Sequence, residues 1–284
     1  MRLWLITALV CTGCGLHGTP TYSPTPAVRP KTAVNRTLAP TLESTDPNLQ
    51  AALLALAAVP GAEAHRRVAI DYRRLGVQDA AYEHFAAAAK LEPGDAFSHD
   101  ALARIWRDWG MPGNGLDDAR RAVAAAPKSA AAANTLGTIF QALGEFDEAK
   151  RWYGRAAALD PDAWYAVSNL CYAQILTREP YAILTCQRAV EHAPDASIAQ
   201  NNLALAHAAS GELREAKQWF RRAGDQARAD YNYGIVMMSE HAYREAETAF
   251  HDALLADPQF TLAASRARQA RLAALAEEAT HAGH

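Results

Sequence analysis

Prolines fall at Pro93, Pro127, Pro161 and Pro194, in steps of 34, 34 and 33 residues, and the next is 64 residues on at Pro258. Proline has no amide proton to donate and pushes the residue before it out of helical angles, so each of these positions stops a helix. Stops at such regular spacing confine the chain to short helices paired into hairpins, each stacked on the next. Such a stack has no single deep core around which to build a reaction pocket. What it offers is a long surface suited to holding another chain.

Aligning the segments on their prolines, with proline at position 32, exposes a second regularity. Segment 130–163 carries Leu136 at position 7, Gly137 at 8, Phe140 at 11, Gly144 at 15, Phe146 at 17, Ala149 at 20, Tyr153 at 24 and Ala156 at 27. Segment 62–95 matches with Tyr72, Gly76, Ala81, Phe85 and Ala88, segment 197–226 with Leu203, Gly211, Ala216, Phe220 and Ala223, and segment 227–260 with Gly234, Tyr243, Ala246, Phe250 and Ala253. Small residues at 8, 20 and 27 let two helices approach closely, and aromatics at 11, 17 and 24 fill the space between helix pairs. Leu136, Ile139, Phe140 and Leu143 repeat at helical spacing. Good helix formers dominate, and no alternating β-branched run suggests a sheet.

These residues resemble the tetratricopeptide (TPR) repeat. The resemblance covers residues 62–260 as six segments, 62–95, 96–129, 130–163, 164–196, 197–226 and 227–260, and implies an all-α, right-handed TPR superhelix of about six helix-turn-helix repeats. Two segments depart from the pattern. In 96–129 the turn Gly110-Met111-Pro112-Gly113-Asn114-Gly115 is expected to be loose and to delay the second helix, and Ala119 stands where the aromatic plug belongs. In 164–196 the turn is one residue short and contains Pro180, with Cys171 at position 8 and Cys186 at position 24.

Helical material flanks the array. Asp46-Pro47 is a good helix start, and Leu49, Leu53, Leu54 and Leu56 support a helix over 47–59, within an N-terminal packing segment 46–61. Residues 259–280 read as a last helix, so that 261–284 form a polar cap and tail. Residues 14–45 read as a tether rich in Pro and Thr rather than a folded element.

Residues 1–13 place one arginine before an apolar run, Leu3 to Val10, too short to span a bilayer. Small residues and Cys14 follow. This resembles a bacterial lipoprotein signal, which implies a lipid on Cys14 and, because Gly15 is not aspartate, an outer-membrane anchor facing the periplasm. Cys11, where that family usually has Leu, is a departure. A plain cleaved signal and a cytosolic chain are the alternatives.

The formal net charge of −3 offers no basic excess for nucleic acid. No His-Glu-x-x-His pair, phosphate-binding loop or Gly-x-Ser-x-Gly elbow occurs, so the expectation is a protein that is no enzyme and needs no metal or small-molecule cofactor. In an oxidising compartment Cys171 and Cys186 have the option of pairing. Their offset repeat positions argue against a bridge and for two small buried thiols.

In TPR arrays the first helix of each pair lines the concave face, through positions 2, 5, 6, 9, 12 and 13. Asn169, Asn202 and Asn232 fall at position 6, and Asn134 and Asn201 at position 5. An amide donates and accepts, so spaced asparagines suit an extended peptide backbone, although inter-repeat contacts use them equally well. Tyr165, Tyr172 and Tyr231 fall on the same face, as do Arg66, Arg73 and Arg104 in the first repeats, which suit an acidic segment or remain a solvated charged face. The family's carboxylate clamp is missing from these positions. The implied partners are protein or peptide clients and, through the lipid, a membrane. The chain looks like the TPR lipoproteins of tight-adherence (Flp) pilus assembly and the type IV pilotins. An accessory recognition subunit of a peptidoglycan or polysaccharide synthesis enzyme is the second reading.

Overall fold

The computed structural model describes residues 44–282, which form fourteen helices and no strand. The signal segment and most of the tether, Cys14 included, lie outside the described residues. The helices divide into two compact units, residues 44–143 and 144–282.

The N-terminal unit comprises α1 (Pro47–Ala58), α2 (Ala62–Arg74), α3 (Gln78–Leu91), α4 (Ala96–Asp108), α5 (Pro112–Ala125) and α6 (Ala130–Ala142). Side chains set several helix starts. Asp46 accepts from the amides of Asn48 and Leu49, Asp95 from that of Phe97, and Ser129 from that of Ala132, satisfying donors that a helix start leaves unpaired. Consecutive helices pack in order, and α4 also lies against α6, so first helices of neighbouring hairpins meet directly. Ala81, Phe85, Ala88, Ala119 and Ala122 are completely buried in the hairpin interiors. His99 clamps the second hairpin to the turn before it. Its Nδ1 lies 2.7 Å from Asp118 Oδ1 and its Nε2 3.0 Å from the Pro93 carbonyl oxygen.

The expected delay of the helix after Gly110 does not occur. α5 starts at Pro112, which suits a first helical position because its missing N–H is not needed there. Gly113, Asn114 and Gly115 are all helical. Gly115 stands at position 20, and a Cβ on it would come within 2.8 Å of the Ala103 carbonyl oxygen, so α5 approaches α4 more closely than alanine allows.

The C-terminal unit comprises α7 (Phe146–Leu159), α8 (Trp164–Leu176), α9 (Ala182–His192), α10 (Ser197–Ala209), α11 (Leu213–Ala223), α12 (Gln226–Ser239), α13 (Tyr243–Ala256) and α14 (Thr261–Ala282). α8 packs on both α9 and α10, repeating the direct contact between first helices. Phe220 and Phe250 plug this unit at position 24, each no more than 1% exposed. Gly234 at position 8 faces Phe250, and a Cβ there would fall 2.7 Å from the ring.

That same pairing of positions 8 and 24 corrects the expectation of two free thiols. Cys171 and Cys186 form a disulfide, with Cα atoms 5.1 Å apart, in a fully buried setting. The antiparallel hairpin sets the two positions opposite one another, as Gly234 and Phe250 show, so they are not offset in space.

A backbone rule unites both units. At position 15, the turn within every hairpin, the chain enters the left-handed region: Gly76, Gly110, Gly144 and Gly211 with φ of 74° to 81°, and Arg178 and His241 with φ of 57° and 63°. Glycine adopts this conformation freely, whereas a side chain there costs about 1 kcal/mol.

Candidate functional site

The first helices of the N-terminal unit carry the expected arginines, and the structure separates them. Arg66 on α2 pairs with Glu63, with Glu92 at 3.1 Å and with Asp95 at 2.9 Å. Its guanidinium is spent on tying α2 to the turn before α4. Arg73, two turns further along α2, is half-buried and makes no ion pair among the described residues. Burial, and then the neighbouring Arg104 guanidinium, hold it below the usual arginine value, with Arg107 acting in the same direction and Asp108 and Asp100 opposing.

Arg104 and Arg107 project from α4 beside it. Arg104 is 40% exposed, and its single ion pair is a long one, Nη1 to Asp100 Oδ2 at 3.7 Å. Arg107 is held from two sides. Its Nη2 and Nε donate to Asp108 Oδ1 at 2.7 and 3.0 Å, and its Nη1 donates to Thr138 Oγ1 at 2.9 Å. Asp100 lies beneath them. Burial pushes its carboxyl above the usual range, against the pull of Thr135, Arg104 and Arg73, and its Oδ1 is buried with no hydrogen-bond partner. From the sequence, Arg107 falls on this face with the other arginines and Asp100 partly offsets them; Thr138 is the member that sequence reasoning missed, and only its repeat position, 9, pointed to this face.

In the C-terminal unit two of the four expected ladder asparagines, Asn202 and Asn232, are buried. Asn202 is 3% exposed, and its Nδ2 donates to the Ser168 carbonyl oxygen at 3.1 Å and to Ser168 Oγ at 2.9 Å. Asn232 is also buried and donates to Asn201 Oδ1 at 3.1 Å. These amides join α8 to α10 and α10 to α12, so for Asn202 and Asn232 inter-repeat contact is the use the structure makes of them. Tyr172 and Tyr231 are buried too, Tyr231 with its ring 5.5 Å from that of Phe250 and 5.0 Å from that of Phe260. Tyr165, Asn169 and Asn201 remain half-buried on first helices, as Asn134 does in the N-terminal unit.

Two neutral imidazoles form a further cluster, behind the arginine face. His65 Nδ1 and His84 Nδ1 are 3.0 Å apart, and the His84 ring stacks on Tyr72. One nitrogen must donate and the other accept. Burial, reinforced by His65, pushes His84 down to about 4. Among the described residues no group of three or more His, Cys, Asp or Glu is placed to hold a metal ion, and no helix is long and apolar enough to cross a membrane.

The tetratricopeptide repeat family pattern matches residues 130–163. The fold is a TPR-like α-solenoid. No curated protein sequence matches the chain. Solved TPR structures share the fold at low identity. The Cut9–Hcn1 hetero-tetramer of the APC/C gives a TM-score of 0.64 at 16% identity, over 78% of this chain and 45% of that one. PilW, described as a widely conserved type IV pilus biogenesis factor, gives 0.61 at 18%, over 70% of this chain and 94% of its own. PilF of Pseudomonas aeruginosa gives 0.58 at 16%, over 74% and 96%. In TPR terms, the polar side chains left partly accessible by packing fall at positions 2, 5, 6, 9 and 12 of the first helices.

Proposed function

We propose that this protein is a membrane-anchored TPR scaffold, held by a lipid on Cys14 at the outer membrane and facing the periplasm, which binds extended segments of client proteins in envelope or pilus assembly. The observation that carries the client-binding reading is the distribution of polar side chains on the first helices. Hairpin interiors are closed by alanine and aromatic residues, whereas Arg73, Arg104, Asn134, Tyr165 and Asn169 stay at least partly accessible on the helices that line the groove of a TPR array. Their chemistry suits peptide groups and charged side chains, and interface cores favour tyrosine and arginine. A buried disulfide supports an oxidising compartment, because such bonds persist there and are rare where thiols are kept reduced. The shared fold with PilW lends the pilus setting its support.

Crosslinking and pull-down from envelopes test the client reading. Capture is expected to fall when Tyr165 and Asn169 are both changed to Ala, or when Arg73 and Arg104 are both changed to Gln. Unchanged capture by both variants overturns it. The anchor has its own test, incorporation of a labelled lipid precursor that disappears in Cys14→Ala; a parent protein that takes up no label refutes it.

A further inference from the structure

Each hairpin turn sets one residue on either side of its left-handed position 15, and the two units fill these places differently. In the N-terminal unit they are Leu75 and Val77 in the first hairpin and Trp109 and Met111 in the second, and Leu143 opens the third turn. In the C-terminal unit the same places hold Thr177 and Glu179, Ser210 and Glu212, and Glu240 and Ala242. The turn therefore forms without apolar flanks, and those of the N-terminal unit need another reason. Leu75, Val77 and Leu143 are 41%, 45% and 37% exposed, and Trp109 and Met111 are half-buried. All three turns lie on one edge. Trp109 packs on Tyr82 near the start of α3, ring centroids 5.3 Å apart, which sets the second turn beside the first. Arg107, at the end of α4, donates to Thr138, one turn from the end of α6, so these helices finish on the same side and Leu143 falls in line with Trp109. Apolar side chains exposed singly carry no message, whereas a row of them along one edge marks a contact surface.

The N-terminal end of the described chain lies at the same edge. Asp46 caps α1, and its Oδ1 is 2.6 Å from Nη2 of Arg74, the residue immediately before Leu75. Ser44 is fixed beside it, its hydroxyl accepting from the Asp46 amide at 3.2 Å. From this placement we propose that the edge formed by Leu75, Val77, Trp109, Met111 and Leu143 rests on the bilayer surface to which the Cys14 lipid anchors the chain. The proposal rests on the lipid-anchor reading above and adds which side of the protein meets the membrane. About 30 residues separate Cys14 from Ser44, a reach of at most about 100 Å. The anchor therefore does not press the edge down by itself; it supplies the local concentration at which a few apolar contacts are enough. Tryptophan suits the headgroup level, where its ring is apolar and its N–H stays wet. The cations of the edge are already matched, Arg74 by Asp46 and Asp71 and Arg107 by Asp108. Contact with zwitterionic lipid is thus expected without help from anionic headgroups. Because the edge is made of helix ends, the sides of α2, α4 and α6 that carry the polar groups stay clear of the bilayer.

The test uses the full chain, with Cys11→Ser and the Cys171–Cys186 bridge oxidised, coupled through Cys14 to a maleimide phospholipid in nanodiscs that hold one protein each. Coupling imposes the anchor whether or not the cell supplies it. A failure to dock is thereby told apart from a failure of the lipid reading, which the labelled-precursor assay measures separately. Hydrogen exchange is followed on phosphatidylcholine discs and on the same protein uncoupled in solution. Amides of residues 75–77 and 109–111 are expected to exchange at least about threefold more slowly on the disc. Those of residues 177–179, 210–212 and 240–242 should not change. Leu75→Gln combined with Val77→Gln alters two exposed side chains, so it should abolish the slowing at both turns while leaving the melting temperature at the parent's value. No slowing on the disc overturns the proposal, as does slowing that survives in the double variant. Slowing that requires added phosphatidylglycerol overturns the apolar contact in favour of an electrostatic one. Slowing of the uncoupled protein that grows with its concentration assigns the edge to a second copy of the chain and equally overturns the proposal.

Discussion

At position 12 of the first repeat, the N-terminal unit holds Arg73 half-buried and, among the described residues, without an ion pair; at position 6 of the fifth, the C-terminal unit holds Asn202 buried, its side-chain amide donating to Ser168 Oγ and to the Ser168 carbonyl oxygen. Both residues sit on first helices, at positions that line the groove of a TPR array. One makes no ion pair among the described residues, and the other joins two repeats. The difference follows from charge. An amide can be satisfied inside the stack by a neutral neighbour, whereas crowded guanidiniums cannot satisfy one another. The N-terminal unit thus leaves Arg73 without such a tie, whereas the C-terminal unit spends Asn202 and Asn232 on cohesion, adding a disulfide to the same end.

The sharpest way to break this contrast is to cut the covalent link. Replacing Cys171 and Cys186 together by Ala should cost about 3 kcal/mol, the value for a loop of this size. Hydrogen exchange should show the loss in α8 and α9 and leave residues 44–143 protected as before. Equal loss in both units would mean that the disulfide serves the whole chain. Next in size is Asn202→Ala, which removes two buried hydrogen bonds between α10 and Ser168 of α8. A cost of about 2 kcal/mol in denaturant unfolding is expected, with client capture unaffected. Capture lost along with stability would restore Asn202 to the binding surface.

The turns offer a smaller and opposite effect. Arg178→Gly and His241→Gly should each raise stability by about 1 kcal/mol, because these are the left-handed turns that lack glycine. Gly76→Ala should lower it by a similar amount, and all three are read as shifts in melting temperature. The smallest effect is a slope in pH. His84 is pushed down to about 4 from the ordinary 6.5, so the unfolded chain takes up its proton first as the solution is acidified. The stability it contributes is fully present above 6.5 and drains away towards pH 4. Allowing for its partial solvent access, the loss is below about 1 kcal/mol and smaller in His84→Gln, where His65, also held down by burial, keeps a share.

The repeats were legible in the sequence because the marks that define them are local. A proline at or next to position 32, present in five of the six segments, and a left-handed turn at position 15, present in all six, each act within a few residues. The looseness expected around Gly113 and Gly115 was misjudged because two glycines look like a loop until the close approach of Ala103 is seen. The site was harder to read. Whether an asparagine at position 6 faces a client or a neighbouring helix depends on the residue 34 places earlier, and for Asn202 that residue is Ser168, which has a hydroxyl to offer. Arg66 and Arg73 differ in the same way. The carboxylates of Glu92 and Asp95 reach one and not the other, a matter of which loop passes nearby rather than of repeat position.

The disulfide also gives the chain a mechanical character. A scaffold tethered at one end and gripped by a client elsewhere carries tension along its backbone. Helical hairpins under load peel apart one after another, each paying out its contour length. Between Cys171 and Cys186, 15 residues apart, the chain cannot pay out, which withholds roughly 50 Å of extension. Force applied from the ends passes through the sulfur bridge instead of through the turn at Arg178. Stretched from both termini, the chain should lengthen by that much more after reduction than before it.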